Sequence, residues 1–372
     1  MAISRRALGR LLGAAGAGAL AGSVAATPAD PDGAQPPDRD SAQRADRDSG
    51  GAAIVPWRGE HQAGILTPAP STVLLTSYDI VAPGFADLLR EWTREIAALT
   101  TGRSAAPEVA GLGAARLTLT TGIGPGIAAM PGLVPLPAFA GDRLDPARSG
   151  GDVCVQACAD DPLLVVQATN TLSRIAAGVL EPRWQQYGTR PTSGAGTPRN
   201  LFGFKDGTAN APDPAQLWTT DPPGGTFLVV RRIAMDVPAF ARLPVAAQEA
   251  AVGRHRGSGA PLGGHGETDE VVLFSKTDTG RYVVPADAHV RRVHPLANGG
   301  ARILRRGYSY VNSPGDQGLL FLSFQRSPEQ FIRIQRRIAA RDAMSRFTEV
   351  RGSAVFFILP GVPSTSAHLH LP

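Results

Sequence analysis

From Thr72 onward the chain switches repeatedly between two periods. "TVLLTSYDI" reads as a strand, and "GFADLLREWTREIAAL" then sets Phe85, Leu88, Leu89, Trp92 and Ile96 at the three- and four-residue spacing of one helix face. "RLTLTTGIG" and "DVCVQACA" return to period two. Asp161 follows as a cap with Pro162 in the first turn of a second helix, whose expected apolar side is Leu163, Val166, Leu172, Ile175 and Val179. "FLVVRRIAMDV" and "AVFFILPG" supply further strands in the second half.

The pattern occurs twice. "VCVQACADDPLLVVQATNTLSRI" from Val153 aligns with "LLFLSFQRSPEQFIRIQRRI" from Leu319: an alternating strand, a polar cap, a proline and an amphipathic helix. In the second copy Ser327 and Gln330 have the spacing of a capping box. The simplest architecture is α+β, two tandem halves of one kind at 51–205 and 206–372, each an antiparallel sheet with helices packed on one face.

Composition adds limits. The chain has 372 residues, 43% of them apolar, which is ample for real cores. Residues 27–50 lack apolar periodicity and are rich in Pro, Asp, Arg and Ser, the composition of a disordered linker. The net charge is +5, but Arg5, Arg6 and Arg10 stand in a first stretch of 26 residues without an acid, so the remainder is too mildly basic to suggest a nucleic-acid partner. That stretch, 1–26, has a basic start, a weakly apolar Gly/Ala core and small residues around Ser23–Ala26, as in an export signal. Its Ser4-Arg5-Arg6-Ala7-Leu8 resembles a twin-arginine signal, which implies the twin-arginine export machinery as a partner and an extracellular or cell-envelope destination. No later apolar run reaches membrane-spanning length. Cys154 and Cys158 lie four strand residues apart, about 13 Å, too far for a disulfide, and read as inert buried thiols.

Several segments carry little chemistry. "TGIGPGI" (121–127) has spaced glycines after a strand, but Pro125 intrudes and no amphipathic helix follows directly. His368 and His370 sit in a tail expected to be mobile, and His61, His255 and His265 lack ligand spacing. "VVPADAHVRRVHP" (283–295) differs, because it places His289 where a strand is expected to give way to a structured loop, with Asp287 and His294 nearby. "ARILRRGYSYV" (301–311) brings Arg305 and Arg306 out of an apolar strand, where a charge needs an anionic partner or a functional pocket.

Taken in order, these segments resemble the dye-decolourising peroxidase family. "FGFKDGTAN" resembles the family's G-x-x-D-G signature, "GRHRGSGAPLGG" its G-R-x-x-x-G-A-P-L segment, "DAHVRRVHP" the stretch bearing the haem ligand, "ILRRGYSY" the distal arginine strand, and "GLLFLSFQRSPEQFIRIQ" the C-terminal strand and helix. The resemblance runs from about Gly64 to Pro360. It implies ferredoxin-like halves of the dimeric α/β barrel superfamily, the second half holding most of one haem b per chain. It implies His289 as proximal iron ligand, with His294 as the alternative and no partner identified for the second ring nitrogen. Asp206 on the opposite haem face would be the acid–base residue and Arg305 the charge-stabilising one, Arg306 being its neighbour in register. Gly203 and Gly207 would let backbone approach the porphyrin without a Cβ.

The implied activity is reduction of hydrogen peroxide with oxidation of dyes, phenolics or similar one-electron donors. The implied alternative is iron release from haem, as in the deferrochelatase-like subgroup. Trp57, Trp92, Trp184, Trp218, Tyr187, Tyr282, Tyr308 and Tyr310 are all available for electron transfer, and the sequence assigns none of them. Homo-oligomerisation is left open.

Overall fold

The computed structural model describes residues 53–191, 196–211, 213–364 and 366–372. The export signal and linker read at 1–26 and 27–50 lie outside them. In the first half β1 (Thr72–Ile80), α1 (Phe85–Thr100), β2 (Thr118–Ile123), β3 (Val153–Ala159), α2 (Pro162–Ile175) and β4 (Leu180–Thr189) form a βαββαβ unit, with the strands ordered β2-β3-β1-β4. A short helix, α3 (Pro214–Leu217), leads to the second unit. This comprises β5 (Thr226–Met235), α4 (Val237–Ala241), α5 (Val245–Val252), α6 (His289–Val293), β6 (Leu304–Arg305), β7 (Tyr308–Ser313), β8 (Asp316–Gln325), α7 (Pro328–Arg341) and β9 (Thr348–Ile358). Its order, β9-β5-β8-β7, repeats the first half, and β6 continues the β7 edge against β8.

The two sheets join edge to edge. β9 pairs with β2 through Gly122–Ile358 and Ile123–Phe357, and β4 pairs with β7 through Thr189–Ser309, so the strands close into a barrel. The first seam is short and is reinforced by the buried Gln62, whose amide donates to the carbonyls of Thr121 and Leu359 and accepts from the amide of Thr121. Closure explains why β1, β2, β3 and β5 are buried along nearly their whole length, alternating polar positions such as Thr76, Thr120 and Gln156 included: both faces are covered. Val73, Leu75, Cys154, Leu228, Val230, Leu322, Phe324 and Phe356 fill the interior, whereas Leu74, Tyr78, Val155, Val229 and Phe357 pack outward with helix residues such as Trp92 and Phe331. Both cysteines are free and buried within it, as expected.

Local signals hold well. α1 buries Phe85, Leu88, Leu89, Trp92 and Ile96, the face read from the sequence. Asp161 caps α2 through the amides of Leu163 and Leu164, and Ser327 with Gln330 forms the capping box of α7. Three expectations fail in whole or in part. Of the face expected for α2, Leu172 is buried and Val166, Ile175 and Val179 pack partly buried against the core, but Leu163 is exposed and Leu164, Val165 and Ala168 are buried instead; four consecutive apolar residues, 163–166, give no periodicity from which to choose a face. The C-terminal tail is docked: Leu369 is buried against the core, and its amide donates to Thr93 Oγ1 (3.0 Å). The residues before His289 form turns rather than a strand, and His289 opens the five-residue helix α6.

Candidate active site

Asp206 sits in the link between the halves, on a hairpin-like turn. Asn200 stabilises the turn by accepting the amide of Phe202 (3.0 Å), Arg199 and Lys205 form an isolated antiparallel bridge, and the amide of Asp206 donates to Pro198 O (2.8 Å). The Asp206 carboxylate accepts from Arg305 Nη1 at 3.3 Å, and both side chains are about one-third exposed on a cleft that Arg190, Thr197, Gly207 and Asn210 also line. Asn210 aligns the two elements: its side chain accepts the Arg305 amide (2.7 Å) and donates to the Arg305 carbonyl (2.8 Å). A two-residue strand at the edge of β8 is thereby tied to the Asp206 loop.

Arg306 faces the other way. It is buried in the barrel, where Nη1 donates to the carbonyls of Ile65 (3.4 Å) and Thr67 (2.6 Å), so Arg305 alone of the pair reaches the cleft. The predicted glycines also separate. Gly207 lines the cleft, but at Gly203 (φ 82°) a Cβ would meet the Arg256 guanidinium at 2.7 Å, so protein already fills that space.

His289 is not in the wall of that cleft, although the charges of both Asp206 and Arg305 act on its ring. Its Nδ1 lies 2.7 Å from Oδ2 of Asp342, whose side chain is essentially inaccessible and whose Oδ1 accepts the amide of Met344 (2.8 Å). Burial pulls the imidazole pKa down, but the Asp342 charge and hydrogen bond outweigh it and the net shift is upward. Packing holds the ring in place. Gly253, at the end of α5 with φ 90°, lets α6 approach so closely that a Cβ there would stand 2.3 Å from the Val290 side chain. His294 has a different job, since its Nδ1 accepts the amide of Leu296 (3.2 Å) and caps the following turn.

Asp342 and Asn210 were not found from the sequence. Asp342 follows the last residue of α7, 53 positions beyond His289, and meets it only because α6 packs beside α7, where Arg292 donates to the Arg337 carbonyl. Asn210 had a signal, being the last residue of "FGFKDGTAN".

Among the described residues no group of three or more His, Cys, Asp or Glu side chains could hold a metal ion. A single imidazole with one nitrogen committed to a buried carboxylate and the other without a partner among the described residues is, however, the donor set that an iron carried by a porphyrin requires. The residues therefore fit haem.

Comparison with known proteins decides the family. A model of the Dyp-type peroxidase N-terminal region matches residues 62–190, and one of the C-terminal region matches 197–363. The chain belongs to the dye-decolorizing peroxidase family. A dye-decolorizing peroxidase of Thermobifida fusca is 37% identical over 80% of this chain and 80% of its own length, and a deferrochelatase of Yersinia pestis is 33% identical over 84% and 83%. A crystal structure of a DyP-type peroxidase from Cellulomonas bogoriensis superposes with a TM-score of 0.81 at 41% identity, covering 86% of this chain and 98% of the other. The DtpA oxyferrous complex from Streptomyces lividans gives 0.82 at 34%, covering 86% and 97%. This DyP-type protein is thus an oxidoreductase, a haem-dependent peroxidase on the ferredoxin-like α+β fold. Among its described residues no helix is long and apolar enough to cross a membrane.

Proposed function

We propose that the chain binds one haem b between His289 on one side and Asp206 with Arg305 on the other. It would reduce hydrogen peroxide to two waters while two donor molecules, dyes or phenolics, each give up one electron. The observation that carries this reading is the pairing of an Asp206–Arg305 couple on an open cleft with an imidazole whose Nδ1 is held by a buried carboxylate. When bound, haem supplies the redox chemistry.

The protein residues supply the rest. Asp206 takes a proton from the entering peroxide and hands it to the departing oxygen, a transfer worth about 10²- to 10⁴-fold in rate. Arg305 stabilises the negative charge that develops there, and its hydrogen bond aims the carboxylate. Asp342 fixes the tautomer of His289, leaving Nε2 as the ligand atom and making it more basic. Gly207 supplies backbone without a Cβ beside the cofactor, whereas Gly203 serves the packing of Arg256. The Arg5-Arg6 signal supports export by the twin-arginine route to the cell envelope or beyond.

An absorption spectrum of the purified protein, before and after one equivalent of peroxide, tests the reading. A Soret band that changes with peroxide is expected. His289→Ala should be colourless and His294→Ala coloured; haem retained with unchanged coordination in His289→Ala would overturn the ligand assignment. The deferrochelatase relatives favour one second reading, iron release. Incubation with haem and no peroxide separates the two, since metal-free porphyrin accumulates only under the second.

A further inference from the structure

The residues on either side of Asp206 have partners that the proposed chemistry leaves without a role. Lys205, immediately before Asp206, donates from Nζ to Oε2 of Glu267, and Thr208, two residues after it, donates to Oε1 at 2.9 Å. Thr197, which lines the same cleft from the preceding segment, donates to that same Oε1. One carboxylate thus collects three hydrogen bonds, two from the flanks of Asp206 and one from the segment before it, whose Pro198 carbonyl accepts the Asp206 amide.

Glu267 is itself held in place. Arg254, which is buried, donates from Nη1 to the carbonyls of Gly259 (2.7 Å) and Glu267 (2.9 Å), and Asp269 closes the local turn by accepting the amides of His265 (2.7 Å) and Gly266 (2.9 Å). The stem of Lys205 lies across Gly259, where a Cβ would stand 2.7 Å from Lys205 Cδ. Both ends of the Lys205–Glu267 pair are about four-fifths buried.

We propose that Glu267 is a positioning residue for Asp206: by capturing the Lys205 ammonium and two threonine hydroxyls, it leaves the Asp206 carboxylate to Arg305 and the incoming peroxide. This rests on the acid–base role of Asp206. Without Glu267 the largely buried ammonium loses its counterion, and Asp206 is the carboxylate adjacent to it in the chain. A Lys205–Asp206 pair would compete with the Arg305 bond and turn the base away from the cleft. The other charges facing the tie, Arg254 beside Glu267 and Arg305 beside Asp206, are both positive and cannot replace the lost anion. Hydrogen bonds from Lys205 and then Thr197 hold the Glu267 carboxyl at about 2, so the tie stays charged in mild acid.

Glu267→Gln tests the charge directly, because glutamine keeps one acceptor oxygen for the threonines and presents an amide donor to Lys205. In the haem-loaded protein the second-order rate constant with peroxide should fall about 10- to 100-fold, the cost of a misplaced catalytic group, with haem content and spectrum unchanged. Adding Lys205→Met should restore most of that rate, which no general loosening of the loop would do. A wild-type rate in Glu267→Gln, or a double variant as slow as the single one, overturns the proposal. Amide exchange in the cofactor-free protein supplies a readout independent of peroxide chemistry. Exchange at Asp206 should quicken in Glu267→Gln, and an unchanged rate there would sink the restraint even if Asp206 were assigned another role.

Discussion

In the first half the connection from β1 to β2 contains α1, a 16-residue helix that lies on the sheet and buries Trp92 completely. In the second half the equivalent connection, 236–303, is α4, α5, a long looped segment and α6, and it carries Glu267 and His289. Asp206 comes from the link between the halves, Arg305 from a two-residue strand, and Asp342 from the turn after α7. The same βαββαβ frame therefore does two jobs. One copy spends its connections on apolar burial, and the other spends them on bringing together polar groups that are distant in sequence. Removing side chains from the first copy should cost stability, and removing them from the second should cost chemistry.

Asp206→Asn should break the second half's chemistry with the largest effect. It keeps the shape and removes the proposed base, so the rate constant with peroxide is expected to fall about 10²- to 10⁴-fold at an unchanged melting temperature. Stopped-flow measurement on the haem-loaded variant checks it, and an unchanged rate constant would pass the proton transfer to Arg305 or water.

Trp92→Ala is the counterpart in the first half. Its indole is fully buried and donates to the Leu172 carbonyl (3.0 Å), so the loss should reach about 3–5 kcal/mol by denaturant unfolding. The folded fraction should keep the wild-type peroxide rate. A selective loss of that rate in folded protein would show that the halves are not separable in this way.

Asp342→Asn probes the contact that the sequence did not disclose. The amide still accepts a hydrogen bond but no longer carries the charge behind His289, so haem affinity should drop about 10- to 100-fold, measured by haem transfer to a competing apoprotein.

That contrast explains what was legible. β1, α1, and the strand–cap–proline–helix units at Val153 and Leu319 were readable because each rests on signals within a dozen residues of one another. Asp206, Arg305 and His289 stood out through short ordered motifs. The Asp342 and Glu267 contacts have no local signature: each depends on where a later segment returns in space, after α7 in one case and in the turn closed by Asp269 in the other. The first turn of α2's buried face was misplaced for the opposite reason, since an unbroken apolar run supplies local signal without direction.

The smallest effects come from the equivalent caps, and they give the most symmetrical test of the comparison. Asp161 and Ser327 occupy the same position in the two copies, each followed by proline at the first helical residue, and each side chain accepts a backbone amide of the first turn. Replacing either with alanine removes that acceptor and should cost about 1 kcal/mol, while the reciprocal bond from the backbone amide of residue 327 to Gln330 (3.0 Å) keeps its donor in Ser327→Ala. Neither change should alter the peroxide rate, because α7 reaches Asp342 only at its far end, about four turns from its cap. Matched losses of stability with matched, unaltered rates would support a frame that is neutral in both copies. A slower peroxide reaction in Ser327→Ala alone would mean that α7 transmits strain along its length to the His289–Asp342 pair, and the second frame would then be part of the active site rather than its support.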